Sequence, residues 1–335
     1  MHQPLISILI PFKNTAEFLP ECLQSIINQS YKNWELLIVD DGSTDESFKL
    51  VEKFINNDSR IQLFKNNGSG IISALRIAFS KSKGELITRM DSDDIMLPNK
   101  LEVLSNKLIK HKKKHVAIGL VKYFSKTGIG DGYSKYETWI NSLTLNGTNY
   151  SEIYKECVIP SPCWMIHRED LVSADAFNPN RYPEDYDLTF RFYENSYTCI
   201  PCTIVLHHWR DYAARASRTN PYYAHNFLLN IKLHYFLKLD YNNTRPLTLW
   251  GAGDKGKTIA KTLIENEVPF DWICDNPKKI GHDIYGVVLK PFRFLKQIKN
   301  PQSIITVANT EAQKQIRNYL TKLELQPMKD YFFFC

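Results

Sequence analysis

Three carboxylates close a short apolar run in ELITRMDSDD, residues 85–94: Asp91, Asp93 and Asp94 follow directly on Leu86-Ile87-Thr88-Arg89-Met90. Like charges this close repel one another and are costly to desolvate, so the cluster calls for a compensating cation. A Mg²⁺ or Mn²⁺ ion takes one or two carboxylates, completes its shell with phosphate oxygens and water, and inverts the local repulsion. Two further acidic strings flank this one, Asp40-Asp41 in WELLIVDDGSTDES and Glu184-Asp185 in YPEDYDLTFR. Each string alone has a plain structural reading. Ser43 and Glu46 can form a capping box, Asp41-Gly42 a turn, and Asp185 a cap on the helix YDLTFRFYE. Their conjunction in one sheet points instead to a cation that carries a diphosphate.

The elements that must position these residues are legible in the first hundred positions. LISILIP and WELLIVDD are continuous apolar runs, as expected of parallel strands buried on both faces. EFLPECLQSIINQ places Phe18, Leu19, Cys22, Ile26 and Ile27 on one helical face. SFKLVEKFI and GIISALRIAFSKS repeat the helical period, with RIQLFK a short strand between them. This alternation predicts an α/β sheet with right-handed crossovers, in which ligands bind beyond the carboxyl ends of the strands. Both Asp40-Asp41 and Asp91-Ser92-Asp93-Asp94 fall at such ends.

Composition bounds the rest. A chain of 335 residues, 43% hydrophobic and 23% charged, predicts a soluble globular protein of two domains. A net charge of +6 is too weak to predict a nucleic-acid partner. The opening MHQPLISILIPFKN lacks a cationic leader, and no stretch approaches the ~18 apolar residues of a membrane span. The expectation is a cytoplasmic protein. KLIKHKKKH reads as the solvated end of a helix, a segment that also admits peripheral contact with the inner face of a membrane. Seven cysteines at irregular spacing do not form a disulfide framework, and Cys199-Ile-Pro-Cys202 lacks the second pair that a zinc site needs.

ISILIPFKNTAEFL, ELLIVDDGSTD, ITRMDSDD and PEDYDLTFR occur in this order over residues 1–220. In motif order and spacing this region resembles the family 2 glycosyltransferases, which have the GT-A (nucleotide-diphospho-sugar transferase) fold. The resemblance implies transfer of a sugar, with inversion, from a nucleotide-sugar donor, commonly a UDP-sugar, to a hydroxyl acceptor on a glycan or a lipid-linked intermediate. It places Pro11, Phe12, Glu17, Asp40 and Asp41 in the nucleotide pocket and Arg76 near the pyrophosphate. Asp91, Ser92 and Asp93 match the motif that holds the diphosphate through Mn²⁺ or Mg²⁺. Asp185, preceded by Glu184, matches the catalytic base. The chain departs from the family pattern at Lys13, at Ile77 and at Tyr212, where many members carry a histidine. His208 or His207 is then the candidate third metal ligand, or else an ordinary strand-end histidine. Trp164 either stacks on an acceptor sugar or packs in the core. Arg210 and Arg215 are acceptor- or phosphate-side candidates, or arginines without such a role.

After a connecting helix and linker over 221–245, residues 246–335 begin a second, small Rossmann-like α/β domain. LTLWGAGDKGKTIA carries Gly251-x-Gly253-x-x-Gly256 between a strand and a helix, and Asp275 ends the next strand. This is the context of a dinucleotide fingerprint, in which glycines let backbone amides approach a phosphate. WRD, with RASRTNPYY after it, resembles a bacterial subgroup that also carries such a WGAG domain, implying synthesis of surface polysaccharide. The alternative for this domain is a structural or assembly role, as in a homo-oligomer. For the chain, the competing classes are a nucleotidyltransferase, whose glycine-rich signature PFKNTAEF lacks, and a non-catalytic nucleotide-sugar-binding scaffold. If the chemistry lies wholly in the first domain, a chain ended near Asn243 retains it.

Overall fold

A computed structural model describes residues 3–111, 113–219 and 225–335. The chain divides into two compact units, Met1–Tyr150 with Val158–Arg215, and Ser151–Cys157 with Ala216–Cys335.

In the first unit the alternating elements are β1 (Ile6–Phe12), α1 (Leu19–Ile27), β2 (Trp34–Asp40), α2 (Ser47–Ile55), β3 (Ile61–Lys65), α3 (Ile71–Lys81) and β4 (Leu86–Arg89). They are followed by β5 (Ile95–Met96), α4 (Lys100–Ile109), β6 (His115–Phe124), α5 (Asp131–Asn146), β7 (Trp164–His167), α6 (Arg168–Ser173), α7 (Glu184–Glu194) and β8 (Thr198–Arg210). The eight strands form one sheet in the order β3-β2-β1-β4-β7-β6-β8-β5. Strands β1 to β4 pair in parallel, and β7 enters antiparallel between β4 and β6.

Every residue of β1, β2 and β4 is buried, because helices cover both faces of the parallel half. Ile8, Ile10, Leu36 and Ile38 anchor a core completed by Leu19, Cys22, Leu23 and Ile26 of α1. The register sets Phe12 opposite Asp40 and Asp40 opposite Lys65, and Arg89 lies opposite Leu9. The acidic strings thus leave the sheet at one edge, where the crossover helices also begin.

The second unit contains α8 (Ala216–Thr219) and α9 (His225–Tyr235), which runs on as a wider π-helical turn over Phe236–Asp240. Next come β9 (Leu247–Trp250), α10 (Asp254–Glu265), β10 (Asp271–Cys274), β11 (Asp283–Ile284), β12 (Val287–Val288), β13 (Lys290–Pro291), β14 (Gln302–Ile305), α11 (Thr310–Lys322) and β15 (Tyr331–Phe333). Its five-stranded sheet, β13-β10-β9-β14-β15, is parallel throughout. In strand order of appearance this is 3-2-1-4-5, the doubly wound arrangement whose order reverses beside β9.

The described part of 221–245 belongs to this unit, and so does the strip 151–157. Tyr154 stacks on Phe334 (ring centroids 5.4 Å apart) and meets Phe332 and Phe236 edge-on. The buried Lys232 ammonium donates to the carbonyls of Lys155 and Phe334. A cut near Asn243 leaves the first unit's residues whole and strips partners from α9 and from residues 151–157 of the second.

The fingerprint glycines have distinct jobs. Gly251 sits at φ +120°, and a Cβ on Gly256 would lie 2.0 Å from the Gly251 carbonyl oxygen. Gly253 has nothing within 4 Å of that position. Gly256→Ala is therefore expected to cost at least the ~1–3 kcal/mol typical of overpacking, read as a lower unfolding midpoint of the second unit. Gly253→Ala should stay within about 1 kcal/mol of the parent. Equal effects of the two substitutions would contradict this division of labour.

Candidate active site

The loops after β1 and β2 are stitched together by side chains of DGSTD. Asn14, at φ 53°, donates its amide to Ser43 Oγ and accepts the Thr44 amide on Oδ1. Ser47 Oγ accepts the Thr15 amide at 2.9 Å, and an Asp45 oxygen accepts the Ala16 amide at 3.1 Å. The capping box of Ser43 and Glu46 is not formed: Glu46 occupies the cap position of α2 without a side-chain cap, and Ser43 is spent on Asn14. Asp40 is buried at the end of β2 and accepts the Ser43 amide at 3.0 Å. Asp41 grips the next loop, accepting Asn66 Nδ2 at 2.6 Å and the Gly70 amide at 2.9 Å. Pro11 and Phe12 are buried strand-end residues, with Phe12 in the core. Glu17 is exposed and pairs with Lys126 at 3.1 Å.

The DSDD cluster separates by burial. Asp94 is fully buried and accepts the Arg210 amide at 2.7 Å and His207 Nε2 at 2.9 Å. Lys100, also fully buried, sets its ammonium 3.3 Å from His207 Nδ1 and donates to the Pro162 carbonyl. With Lys100 donating to Nδ1, the His207 proton lies on Nε2, facing Asp94. Burial and the Lys100 charge hold His207 well below its ordinary range, so the ring is neutral at pH 7. Asp91 and Asp93 are only partly buried. Asp91 bonds Arg89 at 2.9 Å and has Ser161 Oγ at 3.4 Å. Burial opposes the Asp91 charge, but Arg89 and Arg215 outweigh it and lower its pKa. Asp93 accepts the Tyr212 hydroxyl at 2.9 Å; burial, Asp94 and Asp91 push it up to about 7. Burial also raises Asp94, to about 8.

The third acidic string comes to the same place. Glu184 opens α7, is 6% exposed, and meets Arg89 Nη1 at 2.8 Å. Asp185 follows, partly exposed, with Oδ1 on the Tyr186 amide at 2.8 Å. Pro183 holds the cap position, so Asp185 lies inside the first turn and does not cap the helix. Burial and the neighbouring Glu184 push Asp185 up to about 7, against the pull of Arg89. A carboxyl in this range takes and gives up protons near neutrality, which is what general-base work requires.

Several expected residues serve other ends. Arg76 donates to the carbonyls of Phe177 and Asn178 and to Asn180 Oδ1, tying down the loop before PED. Trp164 is 2% exposed and packs edge-on against Phe192, so it lies in the core and offers no face to a sugar. Arg210 is a brace: its guanidinium lies between the rings of Phe18 and Phe124 and bonds Glu21 and the Asp93 carbonyl. His208 packs against Phe124, and Tyr212 is the side chain bonded to Asp93. Among the described residues, no three His, Cys, Asp or Glu side chains gather in a metal-binding group, so the expected set with His208 is not assembled. Two carboxylates still fit a Mg²⁺ or Mn²⁺ ion whose remaining ligands are phosphate and water. Cys199 and Cys202 are buried, free thiols on β8.

The sequence reading does not single out Arg89 or Lys100 as site residues, whereas Arg215, an acceptor- or phosphate-side candidate there, lies beside the central carboxylates. Arg215 is 8% exposed, its guanidinium near the Trp209 and Tyr123 rings. Burial alone would lower Arg215, but Asp94, Tyr123 and Asp93 outweigh it and hold it charged. The one available signal was Arg89 itself, a charge inside an apolar strand run two residues before Asp91.

An acidic cluster at the carboxyl edge of a mixed α/β sheet defines a protein of the GT-A class. Two solved structures share the fold. S. aureus TarS 1-349 in complex with UDP-GlcNAc aligns at TM-score 0.56 and 19% identity, over 77% of this chain and 71% of that one. The mannosyltransferase PcManGT of Pyrobaculum calidifontis, in complex with GDP-Man and Mn²⁺, aligns at 0.50 and 18%, over 71% and 64%. The sequence model of Glycosyl transferase family 2 matches residues 7–173, which include Asp40, Asp91 and Asp93 and end before Glu184. The glycosyltransferase GlyG of Streptococcus pneumoniae is 40% identical over 197 residues, 56% of this chain and 65% of that protein. Chondroitin synthase of Pasteurella multocida is 32% identical over 196 residues, 57% of this chain and 19% of that protein. The chain spans less than two thirds of the length of these two relatives. It belongs to glycosyltransferase family 2. Among the described residues no helix is long and apolar enough to cross a membrane.

The raised Asp93 has a measurable consequence. Between the ordinary carboxylate range and about pH 7 the folded state keeps a proton that the unfolded chain has released. Its contribution to stability is therefore lost as pH rises through about 7. Asp93→Asn removes that loss. In metal-free buffer its melting temperature relative to the wild type should climb by about 2–4 °C or more between pH 5.5 and pH 8.5, levelling off above about 7. A constant difference across this window would show that Asp93 is not strained.

Proposed function

We propose that the chain is a metal-dependent, inverting glycosyltransferase that moves a sugar from a nucleotide-sugar, of the UDP class, to a hydroxyl acceptor. The observation that carries this reading is the placement of Asp185: partly exposed, held near neutral pKa, and joined through Glu184 and Arg89 to Asp91. Asp185 takes the acceptor proton as its oxygen bonds the anomeric carbon, and the nucleoside diphosphate leaves from the opposite face. A carboxylate base in reach contributes about 10²- to 10⁴-fold.

Asp91 and Asp93 would hold a Mn²⁺ or Mg²⁺ ion, which supplies neutralisation of the charge that grows on the leaving diphosphate. Arg89 and Arg215 add fixed positive charge beside the same carboxylates. Asp40 closes the base side of the nucleotide pocket, with Asp41 and Asp45 fixing the loops around it. The acceptor is a glycan or a lipid-linked intermediate of bacterial surface polysaccharide, met at the inner face of the membrane. Support for the polymer class comes from the matched region of chondroitin synthase. The Gly253 loop and Asp275, exposed at the end of β10, leave room for a nucleotide on the second unit, alongside a structural or assembly role there.

Asp185→Asn tests the reading. It keeps shape and the Tyr186 bond but cannot accept a proton. Transfer should fall by about two to four orders of magnitude while UDP affinity in MnCl₂ changes little and the melting temperature does not fall. Undiminished transfer by the folded variant removes the base assignment. UDP affinity that is the same with and without Mn²⁺ or Mg²⁺ removes the metal.

A further inference from the structure

Arg89 belongs to none of the acidic strings, yet it touches two of them. Its Nε and Nη2 meet Asp91 Oδ1 at 3.2 and 2.9 Å, and its Nη1 meets Glu184 Oε1 at 2.8 Å. Arg89 is 5% exposed, and the residues it joins are far apart in sequence. Arg89 ends β4 in register with Leu9 of β1, so its backbone is fixed to the centre of the sheet. Glu184 is the first residue of α7, and Asp185 shares that first turn. A planar fork with donors at fixed angles fixes the orientation of both carboxylates as well as their charge.

We propose that Arg89 is a positioning residue that couples the donor-diphosphate loop to the base-bearing turn of α7, so that engagement of Asp91 is felt at Asp185. This rests on the reading of Asp91 and Asp185 given above. A divalent cation arriving at Asp91 with the donor competes with the guanidinium for the same carboxylate, leaving Arg89 more fully to Glu184. Glu184 is the like charge beside Asp185, so its closer neutralisation favours the ionised base. Donor arrival and base readiness are then linked, and the linkage is reciprocal. Asp185 is faced by Glu184 from its own helix and by Arg89 and Asp91 from β4 and the loop that follows it.

Lysine carries the same charge but, as a point donor, cannot hold both carboxylates in one plane, whereas methionine keeps the stem alone. Arg89→Lys and Arg89→Met in the full chain test the proposal. The readouts are UDP affinity in MnCl₂ by calorimetry, kcat and KM for UDP release from UDP-GlcNAc, and the ¹³C carboxyl titration of Asp185 without nucleotide, assigned with Asp185→Asn. Folded Arg89→Lys should hold UDP within about 3-fold of wild type while kcat falls by about 30-fold or more at little-changed KM. In either variant the Asp185 midpoint should move to higher pH, because a charge or alignment that favours its ionised form is gone.

Wild-type kcat in folded Arg89→Lys, or a loss confined to KM, overturns the coupling. If Arg89→Met does not fold, Arg89→Lys carries the test. Wild-type protein that binds no UDP in MnCl₂ breaks the donor reading. Wild-type protein that binds UDP but releases none from UDP-GlcNAc has a different donor. In both cases the Asp185 titration still decides on Arg89, and an unmoved midpoint overturns it.

Discussion

Negative charge collected at the carboxyl edge of the central sheet is the constraint around which the first unit is built. Asp91, Asp93 and Asp94 follow one strand, and Glu184-Asp185 is brought beside them by the start of α7. Uncompensated, carboxylates this close and this buried do not all stay ionised. The surroundings answer with cations placed by different elements: Arg89 from β4, Lys100 from the start of α4, and Arg215 beyond β8. The balance is incomplete, since Asp93 and Asp185 are both pushed up to about 7. The proposed divalent cation and acceptor proton would relieve that residual strain, while Asp94 is bonded within the framework.

The division of labour among Asp91, Asp93 and Asp94 follows burial. Asp94, with the Arg210 amide and His207 on its two oxygens, is a structural acceptor in a fully buried chain with Lys100. Asp91 and Asp93 keep partial exposure and point their chemistry outward. Removing a charge from the buried chain would leave its partners unsatisfied in low dielectric, which is costly. Removing Asp93, which burial, Asp94 and Asp91 push up to about 7, relieves repulsion.

Rigid support for the donor side comes from ordinary hydrogen bonds of small side chains. Asn14, Ser43, Asp45 and Ser47 knit the loops after β1 and β2, and Asp41 holds the loop that leads into α3. Arg76 and Arg210, both strong candidates for ligand contact as isolated residues, are consumed as braces for the loops that carry Asp185 and Asp93. A guanidinium with five donors is well suited to tying irregular backbone, and both arginines do so.

The linear sequence by itself determined the α/β winding, because continuous apolar runs alternating with helical periodicity admit little else, and it placed the acidic strings at strand ends. It also carried the family, through motif order. Tertiary structure alone decided which polar residues stay partly exposed at the carboxyl edge and which are tied into the frame. Trp164, Arg76, Arg210 and His208 have side chains fit for either task, and only their neighbours in space distinguish the two. The insertion of β7 antiparallel to β4, the grouping of residues 151–157 with the C-terminal unit, and the fork of Arg89 all join segments distant in the chain. Local propensity has no reach over such separations; burial and charge compensation do.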